Sequence, residues 1–319
     1  MARFTDYRTF KTAVGGRLLE FELGKICEQA NGQVMVKYGE SVVSVTVCAS
    51  KEAREDIDFL PLSCDYEEKM YASGKIPGGF IRREGRPSEK AILSSRLMDR
   101  PLRPLFPKGY HNDVVVVATV MSVDLDCETD IMAMVGASVA IATSDIPWEG
   151  PIAAVRVGRV DGRFIINPTL EQREQSDINL TVAGTKDAIM MVEAGANELS
   201  EEIVLDAILF GHAEIRRLVE FQQNIQQTCG KEKQIPSVFK VSEELEEKVR
   251  SYAEARLDTA TRNSDKLSRD ADISAIKEET IAHFAEEYPD AVKEIAQILY
   301  HIEKGIVRHM ITHEKIRPD

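Results

Sequence analysis

Residues 113–123, DVVVVATVMSV, form a continuous apolar run, and residues 129–143, TDIMAMVGASVAIAT, form a second one built largely from small side chains. A valine-rich run of this length suits a β-strand buried on both faces, because a half-exposed strand would alternate apolar and polar positions. The second run is long enough for about four helical turns, and its Ala, Gly and Ser residues let a helix pack closely on a sheet. Together they predict a strand-then-helix unit within a mixed α and β region.

The flanking sequence supplies more sheet. Residues 17–24, RLLEFELG, and 33–49, QVMVKYGESVVSVTVCA, place β-branched residues in near-alternation, with a hairpin expected near Tyr38-Gly39-Glu40-Ser41. A strand pair follows at 152–167, turning at Asp161-Gly162, and another at 177–194, turning around Gly184-Thr185. Residues 198–227 carry helical periodicity as one long helix or two. A proline-containing linker, KEKQIPSVF, then leads to a tail from Val241 onward that is rich in Glu, Lys, Ala and Leu. That composition predicts helices, with a break near Tyr288-Pro289-Asp290.

Charge is distributed unevenly. The 319-residue chain has a formal net charge of −13, which on average repels polyanions. Residues 74–110, GKIPGGFIRREGRPSEKAILSSRLMDRPLRPLFPKGY, nevertheless carry nine Lys/Arg against three Asp/Glu, whereas residues 241–319 are net acidic. Such a concentrated basic segment focuses an anionic ligand on one place. Within it, Ser88 is the expected N-cap of a helix over 88–100, with Ile92, Leu93 and Leu97 as its apolar stripe. The helix is expected to end at Arg100, because the residue before Pro101 is biased away from the α region.

Several classes are disfavoured. No apolar run approaches the roughly 18 residues needed to span a bilayer, and the amino terminus has no apolar signal region, so a cytoplasmic protein without membrane contact is expected. Cys27, Cys48, Cys64, Cys127 and Cys229 show neither a CxxC pair nor metal spacing, which predicts buried, reduced thiols. His309 and His313 lie four residues apart but have no evident third ligand, so solvated positions on a helix face are expected.

Residues 59–110, FLPLSCDYEEKMYASGKIPGGFIRREGRPSEKAILSSRLMDRPLRPLFPKGY, closely resemble the first half of the bacterial polynucleotide phosphorylase family. The likeness extends to ICEQANGQVMVKYGESVVSVTV, to PTLEQREQSDINLTVAGTKDAIMMVEAGANELSEE and to the acidic helical tail. The resemblance implies an α+β, RNase PH-like core (ribosomal protein S5 domain 2-like) over residues 1–235, followed by an all-α domain over 236–316. Residues 317–319 look like the start of a second such half, which makes the chain look like a fragment.

The resemblance also implies an activity. It is reversible, phosphate-dependent 3′-to-5′ degradation of single-stranded RNA to nucleoside diphosphates, with Mg2+ or Mn2+ as metal and inorganic phosphate as co-substrate. A ring trimer is implied, as are partners in RNA degradation such as a helicase and an endoribonuclease. The loop matching Phe80, Arg82 and Arg83 forms the constriction of the family's central channel, and Ile81 stands where the family often has a second aromatic. Physically, a base stacks on an aromatic ring whatever its identity, while guanidinium groups pair with phosphates. Family arginines matching Arg96 and Arg100 lie near the active site of the other half. Arg103 joins the RNA-binding set, although it and Arg86 could equally be structural.

In the family's active half, two aspartates and a lysine precede a V-A-G-T sequence. Here Val182-Ala183-Gly184-Thr185 is preceded at the matching places by Arg173, Asn179 and Thr181, leaving Asp177 with an adjacent Asn as a poor divalent site. No catalytic residue is therefore expected in this chain, and by itself it should be inactive. A non-catalytic RNA-binding ring subunit is the alternative.

Overall fold

A computed structural model describes residues 7–54, 57, 59–236, 242–289 and 291–319. Ser237, Val238 and Phe239 of the expected linker, Val241 at the expected start of the tail, and Asp290 of the expected helix break lie outside them. The chain divides into two compact units, Met1–Val238 and Phe239–Asp319.

Among its described residues the first unit contains two sheets. In the larger, the strands run in the order β1 (Arg8–Val14), β2 (Arg17–Leu23), β3 (Gly32–Tyr38), β4 (Ser41–Ala53), β6 (Asn112–Ser122) and β5 (Leu62–Glu68). Only the β5–β6 pair is parallel. The expected hairpin closes with Tyr38 opposite Ser41. The smaller sheet runs β10 (Ile189–Ala196), β9 (Ile178–Gly184), β7 (Ala153–Val160) and β8 (Arg163–Ile166), all antiparallel. Asp161 and Gly162 both adopt positive φ, 48° and 74°, between β7 and β8. Both central residues of a type I′ turn need that conformation, and its twist matches the strands it joins.

The apolar helix α2 (Thr129–Thr143) packs against β3, β4 and β6 of one sheet and β7 of the other, which is why nearly every residue of it is buried. A Cβ on Gly136 would come 2.7 Å from Val45 Cγ2 and 2.8 Å from Val36 Cγ2, so only glycine permits this approach. Helix α4 (Glu201–Cys229) is a single 29-residue element packed on β7, β9 and α2. Where α2 and α4 meet, Ser138 Oγ donates to Gln222 Oε1 at 2.7 Å while Gln222 Nε2 donates to the Ile152 carbonyl at 2.8 Å. Both buried polar side chains thus have partners, as interior polar groups require.

Four sequence expectations are corrected. The strand at 112–122 is buried on one face only: Val114, Val116, Ala118 and Val120 are inaccessible, while Val115 and Met121 on the other face are exposed. Helix α1 spans Glu89–Leu102 and so runs through Pro101. Its buried stripe is Ala91, Ser94, Leu97, Met98, Pro101 and Leu102, whereas Ile92 and Leu93 are 51% and 56% exposed. Tertiary contacts override the proline: Pro101 and Leu102 are buried, and Trp148 Nε1 donates to the Leu102 carbonyl at 3.1 Å. Finally, the thiols are all free, but of the five Cys127 alone is buried; Cys64 and Cys229 are half-buried, and Cys27 and Cys48 are exposed.

After α4, residues 231–234 bond back onto the end of α2 within the same unit. The Lys231 and Gln234 amides donate to Thr143 and Asp145 carbonyls, and Lys233 Nζ donates to the Ile141 and Ser144 carbonyls at the end of α2. Burial lowers the Lys233 pKa to about 8, against the opposing influence of Asp145.

The second unit is helical: α5 (Glu243–Thr261), α6 (Lys266–Phe284) and α7 (Val292–His309). Its core is Leu245, Val249, Ala253 and Leu257 of α5 with Ile273 and Ile276 of α6 and Ile295, Ile298, Leu299 and Ile302 of α7. The side chain of Asp265 caps α6 by accepting from the Ser268 amide. Among the described residues, no helix is long and apolar enough to cross a membrane.

Candidate nucleic-acid interface

The basic segment begins where β5 ends. A short 3-10 turn at Met70–Ser73 closes on Gly74, whose left-handed φ of 70° lets its amide bond back to the Met70 and Tyr71 carbonyls. Residues 75–88 then leave the body of the unit and return to start α1. Every side chain from Gly78 to Lys90 is exposed, and Phe80 is fully so. An unburied Phe forgoes the roughly 2 kcal/mol its burial would provide, so its ring is free to cover another flat apolar surface.

Three guanidinium groups from this segment, those of Arg82, Arg83 and Arg86, make no hydrogen bond or ion pair with other described residues. Arg82 has φ of 47°, an uncommon conformation for a non-glycine residue, and its amide donates to the Gly79 carbonyl at 2.9 Å. The structure therefore brings Phe80, Arg82 and Arg83 together on one projecting loop. Glu84 Oε1 turns back and accepts from the Met70 amide at 2.9 Å.

The loop feeds directly into α1. Ser88 is the N-cap, its hydroxyl accepting from the Ala91 amide at 3.1 Å, and Lys90 pairs with Glu68 of β5 at 3.2 Å. On the outward face of α1, Arg96 is exposed beside Ile92 and Leu93 and has no ionic partner among the described residues. Arg100 Nη1 reaches Glu193 Oε2 on β10 at 3.2 Å, with both side chains more than half exposed. Arg103 points the other way. Its Nε and Nη2 bind the two oxygens of Asp99, and its Nη1 and Nη2 also donate to the Leu60 and Leu62 carbonyls at 2.9 and 3.0 Å. Hydrogen bonding by Asp99 raises the Arg103 pKa further, and the guanidinium is occupied by protein.

Glu193 and Glu84 were not legible as functional neighbours. Glu193 lies in a different sheet far along the chain from Arg100, and the one signal for Glu84 is its place between Arg83 and Arg86 in a basic segment.

The segment before Val182-Ala183-Gly184-Thr185 is occupied by ion pairs. Arg173 Nη1 pairs with Glu128 at 2.5 Å and its Nη2 donates to the Leu125 carbonyl; Arg159 Nη1 holds Asp177 Oδ2 at 2.6 Å. Arg156 pairs with Glu128 and with Asp130, and burial is the main influence that raises the Glu128 pKa. Asn179 is exposed and Thr181 buried on β9, and neither supplies an anionic oxygen. These residues do not fit a divalent cation, and no group of three or more potential ligands occurs among the described residues. His309 and His313 stack at 4.6 Å between ring centroids, with His313 Nδ1 bonded to Thr312 Oγ1 at 2.9 Å.

Two antiparallel-rich sheets enclosing helices, followed by a helical unit, and an exposed basic loop ahead of α1 define the class. Residues 15–147 match the model of 3′ exoribonuclease family domain 1, and residues 150–214 match that of domain 2. Residues 244–319 match the RNA binding domain of polyribonucleotide nucleotidyltransferase. The chain belongs to the 3′ exoribonuclease family and is similar to its polyribonucleotide nucleotidyltransferase members over its whole length. It is 56% identical over 312 residues to the polyribonucleotide nucleotidyltransferase of Heliobacterium modesticaldum, covering 98% of this chain and 44% of that protein. With the enzyme of Bacillus licheniformis the identity is 56% over 316 residues, covering 98% and 45%. The chain thus spans less than half the length of these relatives. The crystal structure of rice (Oryza sativa) Rrp46 shares the fold, with a TM-score of 0.53 at 15% identity, covering 71% of this chain and 98% of that one.

Proposed function

We propose that this chain is the RNA-guiding part of a phosphate-dependent 3′-to-5′ exoribonuclease. The observation that carries the reading is the fully exposed Phe80 beside the unpartnered guanidinium groups of Arg82 and Arg83, on a chain whose net charge is −13. A passing single strand stacks its bases on the ring for about 1–3 kcal/mol each and pairs its phosphates with the arginines, independent of sequence. Arg96 and Arg100 extend this track along α1. Arg103 is left out, because its donors are taken by Asp99, Leu60 and Leu62.

In the proposed reaction, an oxygen of inorganic phosphate bonds to the phosphorus of the terminal phosphodiester. The 3′ oxygen of the preceding nucleotide leaves with a proton, and a nucleoside diphosphate is released. The Mg2+ or Mn2+ of that reaction is held outside these residues, since Asp177 is committed to Arg159 and Arg173 to Glu128. Assembly as a cytoplasmic ring trimer, with a helicase and an endoribonuclease as degradosome partners, belongs to the same proposal. So does a division into a first RNase PH-like domain over 1–235 and a helical domain over 236–316.

The test is an end-labelled single-stranded RNA incubated with this chain, inorganic phosphate and Mg2+, beside a binding titration of the same RNA. Binding without release of nucleoside diphosphate is expected. Release of diphosphate would place an active site in this chain and overturn the division of roles; absence of binding would overturn the RNA reading.

A further inference from the structure

We propose that Glu84, an acid within the basic loop, is a positioning residue that holds Phe80, Arg82 and Arg83 in place for RNA. The inference rests on the reading of that loop as an RNA contact, and it assigns to Glu84 an effect on binding opposite in sign to its charge.

The loop has little else to fix it. A Cβ on Gly78, Gly79 or Gly85 would meet no atom within 4 Å, so the backbone stands clear of the body at these three points. Its own hydrogen bond, from the Arg82 amide to the Gly79 carbonyl, orders one turn without anchoring it. That turn leaves Arg82 at φ of 47°, a conformation that persists only where the surroundings impose it.

Both ends of the loop converge on one residue. The Met70 carbonyl accepts from the Lys75 amide at 3.0 Å where the loop departs, and the Met70 amide donates to Glu84 Oε1 at 2.9 Å where it returns. Met70 belongs to the 3-10 turn that is itself fixed to the sheet, since Tyr71 OH donates to Met121 Sδ on β6 at 3.3 Å. The carboxylate of Glu84 therefore closes residues 75–84 into a ring on the edge of the larger sheet. With both ends tied at one point, the loop samples fewer positions, and less ordering entropy is lost when a strand of RNA engages it.

Charge alone predicts the reverse. An anion among phosphate-binding arginines repels RNA, so its removal should tighten binding. Glu84→Gln and Glu84→Ala separate the two effects. Both remove the same charge, but the glutamine amide oxygen can still accept from the Met70 amide, whereas alanine cannot.

The experiment titrates a single-stranded RNA into wild type, E84Q and E84A at one salt concentration, and measures tryptic nicking after Arg82 and Arg83 without RNA. Circular dichroism of each protein checks that it is folded. The expected result is that E84Q binds at least as tightly as wild type, that E84A binds about 3- to 10-fold more weakly than E84Q, as loss of one hydrogen bond implies, and that only E84A is nicked several-fold faster. Equal affinities of E84A and E84Q for RNA overturn the proposal whatever the nicking rates. If no variant, nor wild type, binds RNA, the RNA reading fails; a faster-nicked E84A then still establishes the tie, and equal nicking refutes it.

Discussion

Arg100 Nη1 lies 3.2 Å from Glu193 Oε2, joining α1 on the larger sheet to the edge strand β10 of the smaller one. Both side chains are more than half exposed, so water screens the pair and it contributes little to stability. Glu193 instead competes with any phosphate for the Arg100 guanidinium. Glu193→Gln should change the urea midpoint by less than about 0.5 kcal/mol of stability and tighten single-stranded RNA binding by a few-fold. Weaker binding by this variant would show that the pair presents Arg100 rather than occupying it.

Arg96 and Arg103 should separate cleanly. Arg103→Ala strips donors from the Leu60 and Leu62 carbonyls and leaves Asp99 unpaired, and should cost about 1–3 kcal/mol by urea denaturation. Its RNA affinity, measured on folded protein, should be unchanged. Arg96→Ala should leave the urea midpoint alone, lower RNA affinity and reduce the salt slope. A matched loss of affinity in both would return Arg103 to the RNA-binding set.

Glu22 predicts an acid transition. Its side chain is 4% exposed, and burial pushes its pKa up, but hydrogen bonds from Lys37, Tyr7 and Lys25 outweigh that and bring it down to about 2 from an ordinary 4.5. A carboxylate with a depressed folded pKa stabilises the fold fully above its unfolded value and loses that stabilisation as pH falls toward the folded one. Glu22→Gln should therefore cost about 1–3 kcal/mol at pH 7, and the difference from wild type should shrink between pH 4.5 and 2. A difference independent of pH over that window would contradict the assignment.

Gly136→Ala tests the packing of α2. The new methyl group would come 2.7 and 2.8 Å from Val45 and Val36, so overpacking should cost about 1–3 kcal/mol in urea denaturation. An unchanged midpoint would mean that the helix can move off the sheet.

Much of this architecture is written in local pattern. The hairpin at Tyr38 and Ser41, the turn at Asp161-Gly162, the small-residue helix and the Ser88 cap each depend on a few adjacent residues, and each is present. The features that escaped depend on partners distant in sequence. Helix α1 passes Pro101 because Trp148 and the buried core hold its last turn, and Ile92 and Leu93 are apolar yet face outward. Periodicity cannot reveal which face of a strand meets a helix, hence the one-sided burial of β6. The loop with Phe80, Arg82 and Arg83 was pointed to by the charge of its segment and by the family resemblance, whereas the contacts of Arg100 with Glu193 and of Glu84 with Met70 arise only on folding.

The central claim is that the projecting loop grips RNA through Phe80, Arg82 and Arg83. The most direct measurement is the affinity of wild type and of the Arg82→Ala, Arg83→Ala double variant for one single-stranded RNA across a series of salt concentrations. A grip through these arginines requires weaker binding by the variant and a shallower slope of affinity against salt, as two phosphate contacts are lost. Equal affinity at matched salt and an unchanged slope would contradict it.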